Sequence, residues 1–190
     1  MPDYFDETVM DEYEELWADH PNYKIRCNSD LLPLFIEKPM MYSKGEKFQY
    51  NNTGYVLLAM IIEKITEMSF DHYLKANIFD VCGMKATGYY ELDRLPAKCA
   101  NNYIYCAETK TYRTNIYSVD VKVNGAGGAF ISVKDITKFW KGLLEGKLIS
   151  KELLSQMLSK QSGNGIMSVL VSNYGDNVWK EMRKIREKLY

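Results

Sequence analysis

Tyr50, Asn51 and Asn52 stand between a turn-forming stretch, Ser43 to Gly45, and a long apolar run from Tyr55 to Ile62. A phenol titrates near pH 10 in water, so it serves as a base only where cations surround it. A carboxamide offers two N–H donors and one acceptor oxygen. Such a trio can move a proton and hold an amide, or it can simply start a helix, with Asn52 as cap and Tyr50 packed near the turn. Other chemistry-bearing residues are sparse. Cys27, Cys82, Cys99 and Cys106 form no C-x-x-C pair, no histidine lies at zinc-ligand spacing, and neither His20 nor His72 is placed to activate a thiol. These cysteines read as reduced structural thiols and the histidines as surface residues.

The elements that would position the trio follow from periodicity and caps. "DETVMDEYEELW" reads as an acidic helix with Val9, Tyr13, Leu16 and Trp17 inward, and Pro33 and Pro39 divide the next stretch into a short helix and a turn. Asn52 or Thr53 is expected to cap a helix running to about Glu67. Its apolar residues fall on nearly every side, which predicts a central buried helix. Ser69 opens "SFDHYLKANIF". "NNYIYC" and "TYRTNIYSV" flank the polar turn "AETK" and predict a hairpin or an irregular β-ribbon. After the glycine-rich "NGAGGAF", Ser132 with Asp135 and then Ser150 each start a helix. "IMSVLVS" reads as a buried strand, and "NVWKEMRKIREKLY" as a helix with Val178, Trp179, Met182, Ile185 and Leu189 on one face. The sum is a helix-rich α+β chain with few strands.

With 190 residues, 46% of them hydrophobic, the chain can bury a core of one domain or two small lobes. A net charge of -1 supplies no basic field for nucleic acid. The acidic run from Asp3 to Asp19 and the basic C-terminal stretch read as solvated faces. No segment reaches the ~18 apolar residues needed to cross a membrane.

"KGEKFQYNNTGYVLLAMIIEKITEMSFDHYLKANIFDVCGMKATGYY" resembles the serine β-lactamase-like hydrolases, which include class C β-lactamases, penicillin-binding proteins and D-alanyl-D-alanine peptidases. The likeness rests on Phe48, Tyr50, Asn52, Gly54, Tyr55, Phe79, Gly83, Met84 and Thr87, followed by "NGAGGAFISVKDITKFWKGLL". It spans most of residues 1 to 160. The resemblance implies the helical lobe of a β-lactamase/DD-peptidase-like fold over 1–165, with a β-ribbon insertion. Residues 166–190 would be a strand and a C-terminal helix left from the α/β lobe. It also assigns Tyr50 and Asn52 to the family's Y-x-N motif. Tyr50 is then the general base for a serine hydroxyl and Asn52 the residue that positions substrate. Gly127 and Gly128 are implied as a tight turn beside the site. The resemblance implies no cofactor or metal, and a small-molecule or peptide substrate.

The family's other motifs are missing. No serine has a lysine three positions on, so S-x-x-K is absent, and neither K-T-G nor H-x-G occurs. "PDYFDE" resembles the stretch that follows the nucleophile helix. A missing N-terminal part and an internal deletion near Gly165 are therefore expected. Two functions follow: a β-lactamase-related serine hydrolase represented by a part that is inactive alone, or a peptide- or protein-binding module derived from that fold.

Overall fold

The computed structural model describes residues 1–5, 10, 13–46, 49–122 and 125–159. The strand and helix expected after residue 165 lie outside the described residues, as does Val9. Two compact units are distinguished. The first joins Met1–Met41 with Asn51–Leu148, and the second joins Tyr42–Tyr50 with Ile149–Tyr190, described to Ser159.

In the first unit, short 3-10 turns at Tyr13–Trp17, Asn22–Lys24 and Asn28–Leu34 precede helix α1, Asn52–Thr66. Leu16 and Leu31 from these turns, and Ile25 and Phe35 just after two of them, close with Tyr4 and Val56 into the main buried cluster. Helix α2, Phe70–Leu74, continues as a π-helical turn, Lys75–Phe79. Strands β2, Tyr103–Cys106, and β3, Thr111–Thr114, form the expected hairpin, with Tyr105 opposite Tyr112. A second small sheet pairs β1, Thr87–Gly88, with β4, Phe130–Ile131, antiparallel. Helix α3, Val133–Leu144, starts at Ser132, whose hydroxyl accepts from the Asp135 N–H. The fold is thus mixed helix and small antiparallel sheets. In the second unit, Gly45 turns the chain at φ 78°, and helix α4, Lys151–Leu158, is capped by Ser150 and buries Leu154.

Three expectations are corrected. Helix α1 is not buried all round: Thr53, Val56 and Ala59 face the core, while Tyr55, Leu58, Ile61 and Ile65 are exposed. The apolar run is longer than the single stripe the core covers. Its cap is Asn51, not Asn52 or Thr53. Asn51 Oδ1 accepts from Gly54 N at 2.7 Å, a bond of the kind that contributes about 1 kcal/mol. The acidic run is not wholly solvated either. Asp3 is buried at 4% exposure, and Glu14 pairs with Arg113 at 2.9 Å.

Candidate active site

Asp3 holds the start of α1. One carboxylate oxygen accepts from the Asn52 N–H at 2.7 Å and from Asn52 Nδ2 at 3.3 Å. The other accepts from the Thr53 N–H and the Thr53 hydroxyl, each at 3.1 Å. The Thr53 hydroxyl oxygen in turn accepts from the Tyr4 N–H at 2.9 Å. A carboxylate here meets two N–H groups that have no partner within the helix, and it sits at the positive end of the helix dipole. With Asn51 as the cap, the Asn52 side chain is not needed to cap the helix, and Asp3 restrains its amide.

The glycine-rich turn is pressed on the same helix. A Cβ on Gly125 would lie 2.5 Å from the Ala59 Cβ and 2.6 Å from the Tyr55 carbonyl oxygen, so no larger residue fits. Gly125 N donates to Asn28 Oδ1 at 2.7 Å, and Asn28 Nδ2 donates to Glu63 of α1 at 3.2 Å. Gly128 has φ 77°, a left-handed value that favours glycine. At Gly127 an added Cβ would meet nothing within 4 Å.

The turn and the start of α1 line one cleft of about 530 Å³. Asn52, Gly127 and Gly128 all face it. Tyr4, Tyr13, Asn102, Asn115 and Asp120 add polar groups, while Leu92, Val119, Phe130 and Ile131 form an apolar wall. That volume suits a small ligand. A second crevice, between Arg26, Glu63, Asp71 and Lys122, holds only about 40 Å³, which is room for water rather than substrate. Tyr50 belongs to the second unit, and its side chain is 54% exposed.

Sequence reasoning missed Asp3, Tyr4, Tyr13, Asn102, Asn115 and Asp120. Tyr13 was expected to face inward, and it does; its hydroxyl donates to the Tyr4 hydroxyl at 3.4 Å. Burial, then the nearby Asp120 carboxylate, pushes the Tyr13 phenol far above its ordinary value. It therefore stays protonated and acts as a hydrogen-bonding group, not as a base. Asp120 sits in a segment stapled from below. Asn22 Nδ2 donates to the carbonyls of Ile116 and Val119, both at 2.6 Å, and Trp17 Nε1 donates to that of Ser118 at 3.1 Å. No local pattern in "SVDVK" marks the aspartate. The only cue was its place just before the glycine-rich turn.

All four cysteines are free, and among the described residues no cluster of His, Cys, Asp and Glu is arranged to hold a metal ion.

The family model described as Beta-lactamase matches residues 1–174. Penicillin-binding protein 4* of Bacillus subtilis is 30% identical over 163 residues, which is 80% of this chain and 34% of that protein. The crystal structure of a penicillin binding protein from Bacillus halodurans superposes with a TM-score of 0.83 at 37% identity, covering 86% of this chain and 50% of the other. A D-amino acid amidase from Ochrobactrum anthropi SV3, solved with L-phenylalanine amide, shares the fold at a TM-score of 0.63 and 23% identity, over 84% of this chain and 44% of its own. This chain thus spans half or less of the length of each of these relatives.

Proposed function

We propose, on the premise that this chain belongs to the Beta-lactamase family of serine hydrolases, that its cleft is the acyl-donor side of a serine acyl-transfer site. The substrates are D-amino-acyl peptides, β-lactams, or small esters and amides. The observation that carries this reading is that Asn52 of the Y-x-N motif and the Gly127–Gly128 turn, far apart in sequence, line the same cleft. Asn52 positions the substrate amide with its side chain restrained by Asp3, and the open backbone at Gly127 lets an acyl group approach closely. Tyr50 is the general base for a serine hydroxyl. No serine in the 190 residues has a lysine three positions on, so that hydroxyl and its lysine have to come from another polypeptide segment. This chain alone does not turn over. That same sequence fact favours the second reading, a cleft that binds an acyl group or peptide without cleaving it.

The test is a titration of the 15N-labelled chain with D-phenylalanine amide. The expected result is saturable movement of the Gly127 and Gly128 amide signals and of the Asn52 side-chain amide. Signals that stay still at these positions, or that move only around Arg26 and Lys122, would place the ligand site elsewhere.

A further inference from the structure

We propose that the hairpin β2–β3 is a docking ribbon for the part of a peptide ligand that extends N-terminal to the amide held in the cleft. The inference rests on reading the cleft as the acyl-donor site and names where a longer donor continues. The ribbon starts at the rim of the cleft. Asn102 and Asn115 line the cleft, and the Asn115 N–H donates to the Asn102 carbonyl at 3.3 Å. Tyr103 and Thr114 follow as the first paired residues of the two strands. The register puts Tyr103, Tyr105, Tyr112 and Thr114 on one face. Tyr103, Tyr105 and Tyr112 are 61%, 53% and 71% exposed, and the rings of Tyr105 and Tyr112 lie 5.2 Å apart. The opposite face anchors the ribbon. Ile104 and Cys106 are half-buried there, and Arg113 donates to Ser118 Oγ at 3.3 Å and to Glu14 at 2.9 Å.

Tyrosine is the residue type that binding surfaces enrich, because its ring gives a large, rigid contact at little cost in side-chain entropy. The backbone selects the class of ligand. The sheet has two strands, so each strand turns one edge away from its partner. Such an edge offers N–H and C=O groups to an extended polypeptide. Alternate side chains of that polypeptide then stand beside the tyrosines on the same face. A sugar chain would stack on the rings and leave the edge unused. The four residues of β2 extend over about 13 Å, the reach of a four-residue extension of the ligand.

The experiment titrates the 15N-labelled 190-residue chain with N-acetyl-D-phenylalanine amide, and with the same amide extended at its N-terminus by acetyl-valyl-alanyl-valyl-alanyl. The long ligand should bind about tenfold tighter, the effect of one good aromatic anchor. Both ligands should move the Gly127 and Gly128 signals, and only the long one those of Tyr103, Tyr105 and Tyr112. Tyr105→Ser combined with Tyr112→Ser should bring the long ligand down to the affinity of the short one. If that variant does not fold, the two ligands and their perturbed signals in the native chain still decide. Equal affinities with Gly127 and Gly128 perturbed would refute the ribbon and leave the cleft as the acyl site. An advantage that survives the double substitution would also overturn the proposal. So would ribbon signals that move without Gly127 and Gly128, or that respond to cellotetraose and not to the peptide. No perturbation by either amide would refute both the ribbon and the cleft.

Discussion

Replacing Asp135 by alanine is expected to destabilise the fold by about 4 kcal/mol, the scale for removing one partner of a buried charged network. Asp135 is 1% exposed. One of its oxygens accepts from the Ala86 N–H at 2.6 Å and the Thr87 hydroxyl at 3.0 Å, and the other from the Lys138 ammonium at 2.7 Å. It therefore joins the start of α3 to β1, whose partner β4 carries the Phe130 and Ile131 wall of the cleft. Alanine leaves the buried Thr87 hydroxyl and the partly covered Ala86 amide without an acceptor. A thermal melt should show the midpoint falling by about 10 °C. Midpoints within a degree of each other would mean that water or repacking satisfies those donors.

The same site has a definite pH dependence. Burial works against the Asp135 charge, but the Lys138 ammonium, the Ala86 N–H and the Thr87 hydroxyl outweigh it and hold the carboxyl below its ordinary value. A lowered folded-state value means that the stabilisation is complete above the unfolded-state value, about pH 4. It is lost as the pH falls through the folded-state value. The gap between native and Asp135→Ala midpoints should therefore close in acid and stay constant from about pH 5 to neutrality.

Tyr50→Phe is expected to lower turnover by about two orders of magnitude or more in any polypeptide that carries this sequence together with S-x-x-K. That is the usual range for loss of a positioned general base. The substitution removes one hydroxyl from a side chain that is already half exposed, so stability should hardly change. The Tyr13 hydroxyl cannot take over, because burial and Asp120 keep its proton in place. The measurement is kcat for hydrolysis of a D-amino-acyl amide, with a melt as control. Unchanged turnover would put the base elsewhere.

What the sequence revealed was mostly local. The hairpin was legible because two tyrosine- and threonine-bearing stretches flank one polar turn, and their register followed with Tyr105 opposite Tyr112. Ser132 and Ser150 marked the starts of α3 and α4, since each hydroxyl binds an N–H only three residues on. The start of α1 was less readable, because Asn51, Asn52 and Thr53 can all cap. The choice was made by Asp3, a residue 49 positions away from Asn52. The β1–β4 pair has two residues per strand and no periodicity to detect. At the site, Asn52, Gly127 and Gly128 came from the family likeness. Asp120 and Tyr13 did not, since only tertiary packing brings them to the cleft.

The most direct test of the central claim is to incubate the purified chain with a fluorescent penicillin and follow covalent labelling by intact mass. The predicted result is an unmodified 22.1 kDa species, because the chain has Tyr50 and Asn52 but no S-x-x-K hydroxyl for them to serve. A species heavier by one penicillin would contradict the account, since it would reveal a nucleophile within these 190 residues.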